Sequence, residues 1–68
     1  MTVSYAKLKG KIKEMYNTQI AFAEAMGMSA QLLSFKLNNK TIWKREEIET
    51  ACALLSIPIE DVYIYFFK

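Results

Sequence analysis

Thr18 to Lys40, TQIAFAEAMGMSAQLLSFKLNNK, is the stretch that decides the fold. It divides into two short helices joined by a tight turn at Ala25-Met26-Gly27-Met28. Gln19 through Met26 form the first, and Thr18 is placed to cap it. Gly27 lets the backbone take a positive φ at little steric cost, and Ser29 is the N-cap of the next helix. Ala23 offers a small side chain where two such helices cross closely. Ile20, Ala23 and Gly27 follow a spacing of three then four, so they share one inward stripe. The second of the two helices should end near Leu37, ahead of Asn38-Asn39, because asparagine tolerates the left-handed conformation.

Three further helices complete the reading. Before the pair, Ser4 can cap a helix whose apolar positions Tyr5, Leu8, Ile12, Met15 and Tyr16 recur at three or four, with Lys7, Lys9, Lys11 and Lys13 falling elsewhere. Gly10 weakens it by about 1 kcal/mol relative to alanine, which packing must offset. After the pair, Thr41-Ile42-Trp43 forms a loop with Trp43 folded back on the core. A fourth helix opens with Glu46 and Glu47 near its positive end and buries Ile48, Ala51, Cys52 and Leu55. Pro58 begins a fifth at a position that needs no amide hydrogen. There is no sustained strand-like alternation, no repeat and no low-complexity segment. The class expected is all-α with five helices, residues 1–68 forming one domain. A chain of 68 residues is near the lower limit for a core that suffices alone, and such domains often gain stability by oligomerising.

Gln19, Phe22, Ala23, Gly27, Ser29 and Leu33 resemble the helix-turn-helix of the Cro and lambda-repressor-type family of bacterial and phage regulators. Downstream, Asn38-Asn39-Lys40, Glu46 to Leu55, Ser56-Ile57-Pro58 and Ile59-Glu60-Asp61-Val62 are similar to that family's Asn-Gly-Lys-like corner, fourth helix, Leu-Gly-Val-like phrase and short fifth helix. The resemblance spans roughly Tyr5 to Tyr63. Lys36-Leu37-Asn38-Asn39-Lys40 with a terminal Tyr65-Phe66-Phe67 further resembles a small phage-encoded subgroup. It implies a lambda-repressor-like domain that binds double-stranded operator DNA as a transcriptional regulator, a phage Cro-like repressor, with the third helix in the major groove.

Steps of 100° put Leu33 and Leu37 on the core side of that helix and Gln31, Ser34, Phe35 and Asn38 on the other. By resemblance the base-reading positions are Ser29, Ala30, Gln31, Ser34, Phe35 and Asn38. The Gln31 amide can donate and accept at once, matching adenine N6 and N7, while Ala30 and Phe35 would meet thymine methyls. The alternatives are a solvated Gln31 and a Phe35 that packs on Leu32 in a subunit contact. Phosphate contacts are expected from Gln19 at the start of the second helix, from Lys36, Asn39 and Lys40 where the chain leaves the groove, and from Lys44 and Arg45. Lys36 departs from the family pattern, standing where an apolar core residue is usual, with Leu37 taking that role one step later.

The net charge of +2 is unevenly divided. Residues 1–45 hold eight cations against Glu14 and Glu24, a balance of +6, and residues 46–68 hold Lys68 against five carboxylates, a balance of −4. A polyanion would approach the basic half; the alternative is that these lysines only solvate helical surfaces. One cysteine and no histidine exclude an intramolecular disulfide and a Cys/His zinc site. No metal, cofactor or small-molecule ligand is implied. There are no paired carboxylates at useful spacing, no glycine-rich phosphate loop and no activated nucleophile, so no enzyme is expected. The N-terminus lacks an apolar signal region and no apolar run could span a bilayer, so a bacterial cytoplasmic location, on the nucleoid when bound to DNA, is expected.

The run Val62-Tyr63-Ile64-Tyr65-Phe66-Phe67 is too apolar for a frayed tail. Residues 62–68 are read as a dimerisation tail, with Tyr65, Phe66 and Phe67 meeting their counterparts across a two-fold axis. Such a homodimer would read half-sites about 34 Å apart. The alternative is that these aromatics wrap over the first helix and close the monomer core. A second functional class keeps the fold but binds another protein, as an antirepressor or antitoxin, through the tail or the Leu32 and Phe35 face.

Overall fold

The computed structural model of the chain describes residues 4–67, in which the helical periods become five α-helices and one 3-10 turn. These are α1 (Ala6–Tyr16), α2 (Gln19–Met26), α3 (Ala30–Leu37), α4 (Arg45–Leu55), the 3-10 turn Ile59–Asp61 and α5 (Val62–Phe66). No strand occurs among the described residues. The protein is all-α.

Local chemistry sets the boundaries of the central pair. Thr18 Oγ1 accepts the Ala21 amide at 3.1 Å and Ser29 Oγ accepts the Leu32 amide at 3.1 Å, so each helix begins on a side-chain cap. Gly27 takes φ 77°, and behind it the Met28 amide reaches back to Ala23 O at 3.0 Å, closing α2 in the six-to-one pattern of a Schellman turn. Asn39 does the same for α3 at φ 62°, with the Lys40 amide on Phe35 O at 2.8 Å. Ser29→Ala should lower stability by about 1 kcal/mol. Thermal melting checks this, and an unchanged midpoint would mean that α3 is held by packing alone.

Around this pair α1 packs on α2, α4 and α5, and α2 also packs on α4. Leu8, Ile12, Phe22, Leu33, Leu37, Leu55 and Phe66 are the largest fully buried side chains. Trp43 does fold onto the core, meeting Phe66 edge-on at 5.0 Å and Tyr5 at 6.4 Å between ring centres. Its buried indole N–H has no acceptor in hydrogen-bond geometry. Burial pushes the Tyr5 phenol up, and the neighbouring indole N–H pulls it back only in part.

Several expectations are corrected. Ser4 Oγ accepts the Ala6 amide at 3.2 Å, but the residue flanking α1 is Tyr5 at φ 58°. Ile20 and Met15 do not face inward; they are 62% and 43% exposed. Phe22, two positions along from Ile20, fills the space instead. Pro58 leads into the 3-10 turn, its carbonyl accepting the Asp61 amide at 2.9 Å, and the fifth α-helix begins only at Val62. Cys52 is half-buried against the core rather than within it, and burial pushes its thiol up.

Candidate functional site

α3 presents two faces of opposite character. Leu33 and Leu37 point into the core, and Ala30, Gln31, Leu32, Phe35 and Asn38 are exposed with Ser34 half-buried beside them. The six positions expected to read bases therefore do lie on or flank the outward face. Three of them, Ser29, Ser34 and Asn38, already spend side-chain polar atoms within the helix. Ser29 caps α3, and Asn38 Nδ2 donates to Ser34 O at 2.7 Å and lies 3.3 Å from Ser34 Oγ. Gln31 keeps an exposed amide at the start of the helix. Phe35 and Leu32 are 41% and 37% exposed, an apolar pair next to it.

The phosphate candidates divide. Gln19, Asn39, Lys40, Lys44 and Arg45 are all exposed, with Arg45 Nε directed at Glu49 Oε2 at 3.3 Å. Such a surface pair holds its partner weakly and leaves the guanidinium available. Lys36 is different, and its assignment as a phosphate contact is wrong. It is 3% exposed, and its ammonium donates to Ile42 O at 2.9 Å, pairs with Glu47 Oε1 at 2.8 Å and sits 5.9 Å from the Trp43 ring centre. A buried ammonium is tolerated only when paired and hydrogen-bonded, and here it has both kinds of partner plus an aromatic face. It ties the end of α3 to the loop at Ile42-Trp43 and to the first turn of α4. The signal in the sequence is the stripe itself: Lys36 follows Leu33 by three, and Glu46 and Glu47 supply carboxylates at the start of α4, of which the half-buried Glu47 makes the pair.

Glu47 also accepts the Lys44 amide at 2.8 Å, the forward half of a capping box that lysine, lacking an acceptor, cannot reciprocate. Burial pushes the Glu47 carboxyl up, but the bonds from Lys36 and the Lys44 amide and the charge of both lysines outweigh it, leaving it below the ordinary glutamate value. A carboxyl lowered on folding stabilises the protein above its unfolded pKa, about 4.3 for glutamate, and that contribution is lost as pH falls through the folded value. Melting temperature should therefore drop on acidification below about pH 4.3 more steeply in the native chain than in Glu47→Gln. Parallel acid profiles would show that the pair carries no linkage.

The tail is corrected as well. Phe66 is 2% exposed and belongs to its own core, so it cannot form the contact assigned to it, and Tyr65 is half-buried against that core. Phe67 is 54% exposed and stacks on Tyr63 with ring centres 6.4 Å apart and planes inclined by 21°. The alternative in which the tail closes the monomer core describes Phe66. Lys68 lies outside the described residues. No helix among them is long and apolar enough to cross a membrane, and none of their side chains form a cluster suited to a metal ion.

Over residues 1–68 the sequence matches the family described as "Protein of unknown function (DUF739)". The chain belongs to that family. No curated protein matches it. Among solved structures, this DUF739 chain is similar to the modulator of repression (MOR) of the temperate bacteriophage TP901-1 from Lactococcus lactis, determined in solution. The two share 44% identity and superpose with a TM-score of 0.87, over 100% of this chain and 92% of that one. The fold is thus that of a small phage regulator. The Cro and lambda-repressor resemblance is supported only at that coarser level, as a phage regulator of five helices.

Proposed function

We propose that this chain regulates a phage decision by modulating repression, and that it does so by binding a protein of the repression machinery through the outer face of α3. One observation carries the choice of a protein partner. The single cation of α3, Lys36, is turned into the interior and neutralised there, so the outward face is uncharged and exposes Phe35 and Leu32. Base-reading helices work beside a polyanion and draw much of their affinity from cations. A neutral face centred on an aromatic and a leucine suits the desolvated centre of a protein contact. The similarity to a phage modulator of repression supports the regulatory role. No catalytic step is part of this reading.

The second reading is sequence-specific DNA binding as a Cro-like repressor through a helix-turn-helix at α2 and α3. It is favoured by the exposed Gln31 amide at the N-terminal end of a capped helix and by exposed Lys40, Lys44 and Arg45 near the other end. Phe35→Asp separates the two. In a reporter strain carrying the phage's own repressor and promoters, it should abolish the effect of the chain on repression while leaving the melting temperature of the purified protein within a few degrees of native. Loss of function on Lys40→Ala and Gln31→Ala, with Phe35→Asp still active, would favour DNA as the partner instead.

A further inference from the structure

The first helix carries charge that neither reading of α3 uses. Four of the chain's nine cations, Lys7, Lys9, Lys11 and Lys13, stand on α1 within about 9 Å of helix axis. At 100° per residue, Lys7 and Lys11 lie on one flank of the buried Leu8 and Ile12 stripe, and Lys9 and Lys13 lie on the other. Lys7 and Lys13 are exposed, and Lys9 and Lys11 are half-buried. Only Lys11 meets a carboxylate, that of Glu14, and at 3.9 Å; among the described residues Lys7, Lys9 and Lys13 have none in ion-pair range. By contrast, Lys36 and Arg45 are each paired with a carboxylate of α4.

Gly10 lies between the two rows on the outward side of α1. It is exposed, its φ is not left-handed, and a Cβ there would meet nothing within 4 Å. Neither the backbone nor the packing calls for glycine at a helical position where it costs stability relative to alanine. What glycine does provide is a helix surface that another molecule can approach closely. We propose that this face of α1 binds the sugar–phosphate backbone of duplex DNA without regard to sequence, one strand running past Gly10 between the two rows of lysines. Within each row the lysines are about 6 Å apart along the helix, which is comparable to the spacing of neighbouring phosphates on a strand. Lysine is a point charge on a flexible stem and suits phosphates met at changing positions along a duplex. A fixed carboxylate is better matched by the planar fork of arginine, and α1 has no arginine. The contact uses no residue of α3, so it stands or falls apart from either reading of that helix, and it concentrates the chain on DNA, where the repression machinery works.

Fluorescence anisotropy of a labelled random-sequence duplex of about 20 base pairs, titrated with the full chain at salt from about 50 to 200 mM, tests this. The expected result is a Kd of roughly 10⁻⁴–10⁻⁶ M at physiological salt, with a log–log salt slope between about −3 and −4. The triple variant Lys7→Gln, Lys9→Gln, Lys13→Gln should weaken binding about tenfold or more and bring the slope close to about −1, with its helical circular dichroism kept because glutamine is a good helix former. Lys40→Gln with Lys44→Gln should change binding less than about twofold. Gly10→Gln should weaken it about threefold without lowering the melting temperature, because the longer side chain stands where the strand passes. Any of three results overturns the proposal. The first is a triple variant that keeps the native slope, the loss falling on Lys40→Gln with Lys44→Gln instead. The second is a Gly10→Gln protein that binds as the native chain does. The third is poly-L-glutamate displacing the duplex as well as unlabelled DNA does at equal charge, which would give the lysine rows to an acidic protein surface.

Discussion

Phe66→Ala is expected to destabilise the chain by about 3–5 kcal/mol, the usual cost of removing a phenylalanine from a packed core. The total stability of so small a domain is of the order of 3–10 kcal/mol, so the variant should lose a large part of it and melt well below the native chain. The ring is 2% exposed and meets Trp43 edge-on at 5.0 Å, so its loss opens a cavity beneath the loop that joins α3 to α4. Phe67→Ala, one residue further, should cost under about 1 kcal/mol, since its ring is mostly in water. Denaturant melts of the two proteins give the contrast directly. Equal effects would mean that the tail packs differently from the structure described.

Lys36→Ala is expected to be nearly as severe, at about 3 kcal/mol, because it strands a partly buried Glu47 carboxylate and empties the space beside Trp43. Lys36→Met should recover much of that loss, since it refills the volume, though it cannot restore the bond to Ile42 O. The double variant Lys36→Met with Glu47→Leu should come closer to native stability, as apolar replacements of buried ion pairs often do. Urea midpoints of the three proteins decide it. A Lys36→Ala protein as stable as the native chain would place the ammonium at the surface and reopen its assignment to phosphate.

The sequence revealed the frame of the fold through a few residues with narrow conformational roles. Thr18 and Ser29 announce helix starts, and Gly27 and Asn39 announce ends, because caps and left-handed residues act within one turn of backbone. The inward stripe Leu8, Ile12, Leu33, Leu37, Leu55 was legible from spacing alone. Failures came where a choice depended on distant partners. Ile20 and Phe22 both have a claim to the inner side of α2, and only the packing of α1 and α4 gives the place to Phe22. Lys36 looks like a surface cation in the sequence because its partners lie six residues or more downstream, at Ile42 and Glu47. In the tail, three consecutive aromatics cannot all face one way, and spacing did not say which would enter the core. The outward set on α3 was legible, but its neutrality was not, because it depends on where the Lys36 ammonium goes.

The central claim is that the outer face of α3 contacts protein rather than base pairs, and selection of bound sites from a random duplex library by the purified chain at about 100 mM salt tests it most directly. The account predicts no enriched sequence, only weak salt-sensitive retention with a Kd of roughly 10⁻⁴–10⁻⁶ M from the exposed lysines. An enriched, two-fold-related sequence whose selection is lost on Gln31→Ala would contradict it.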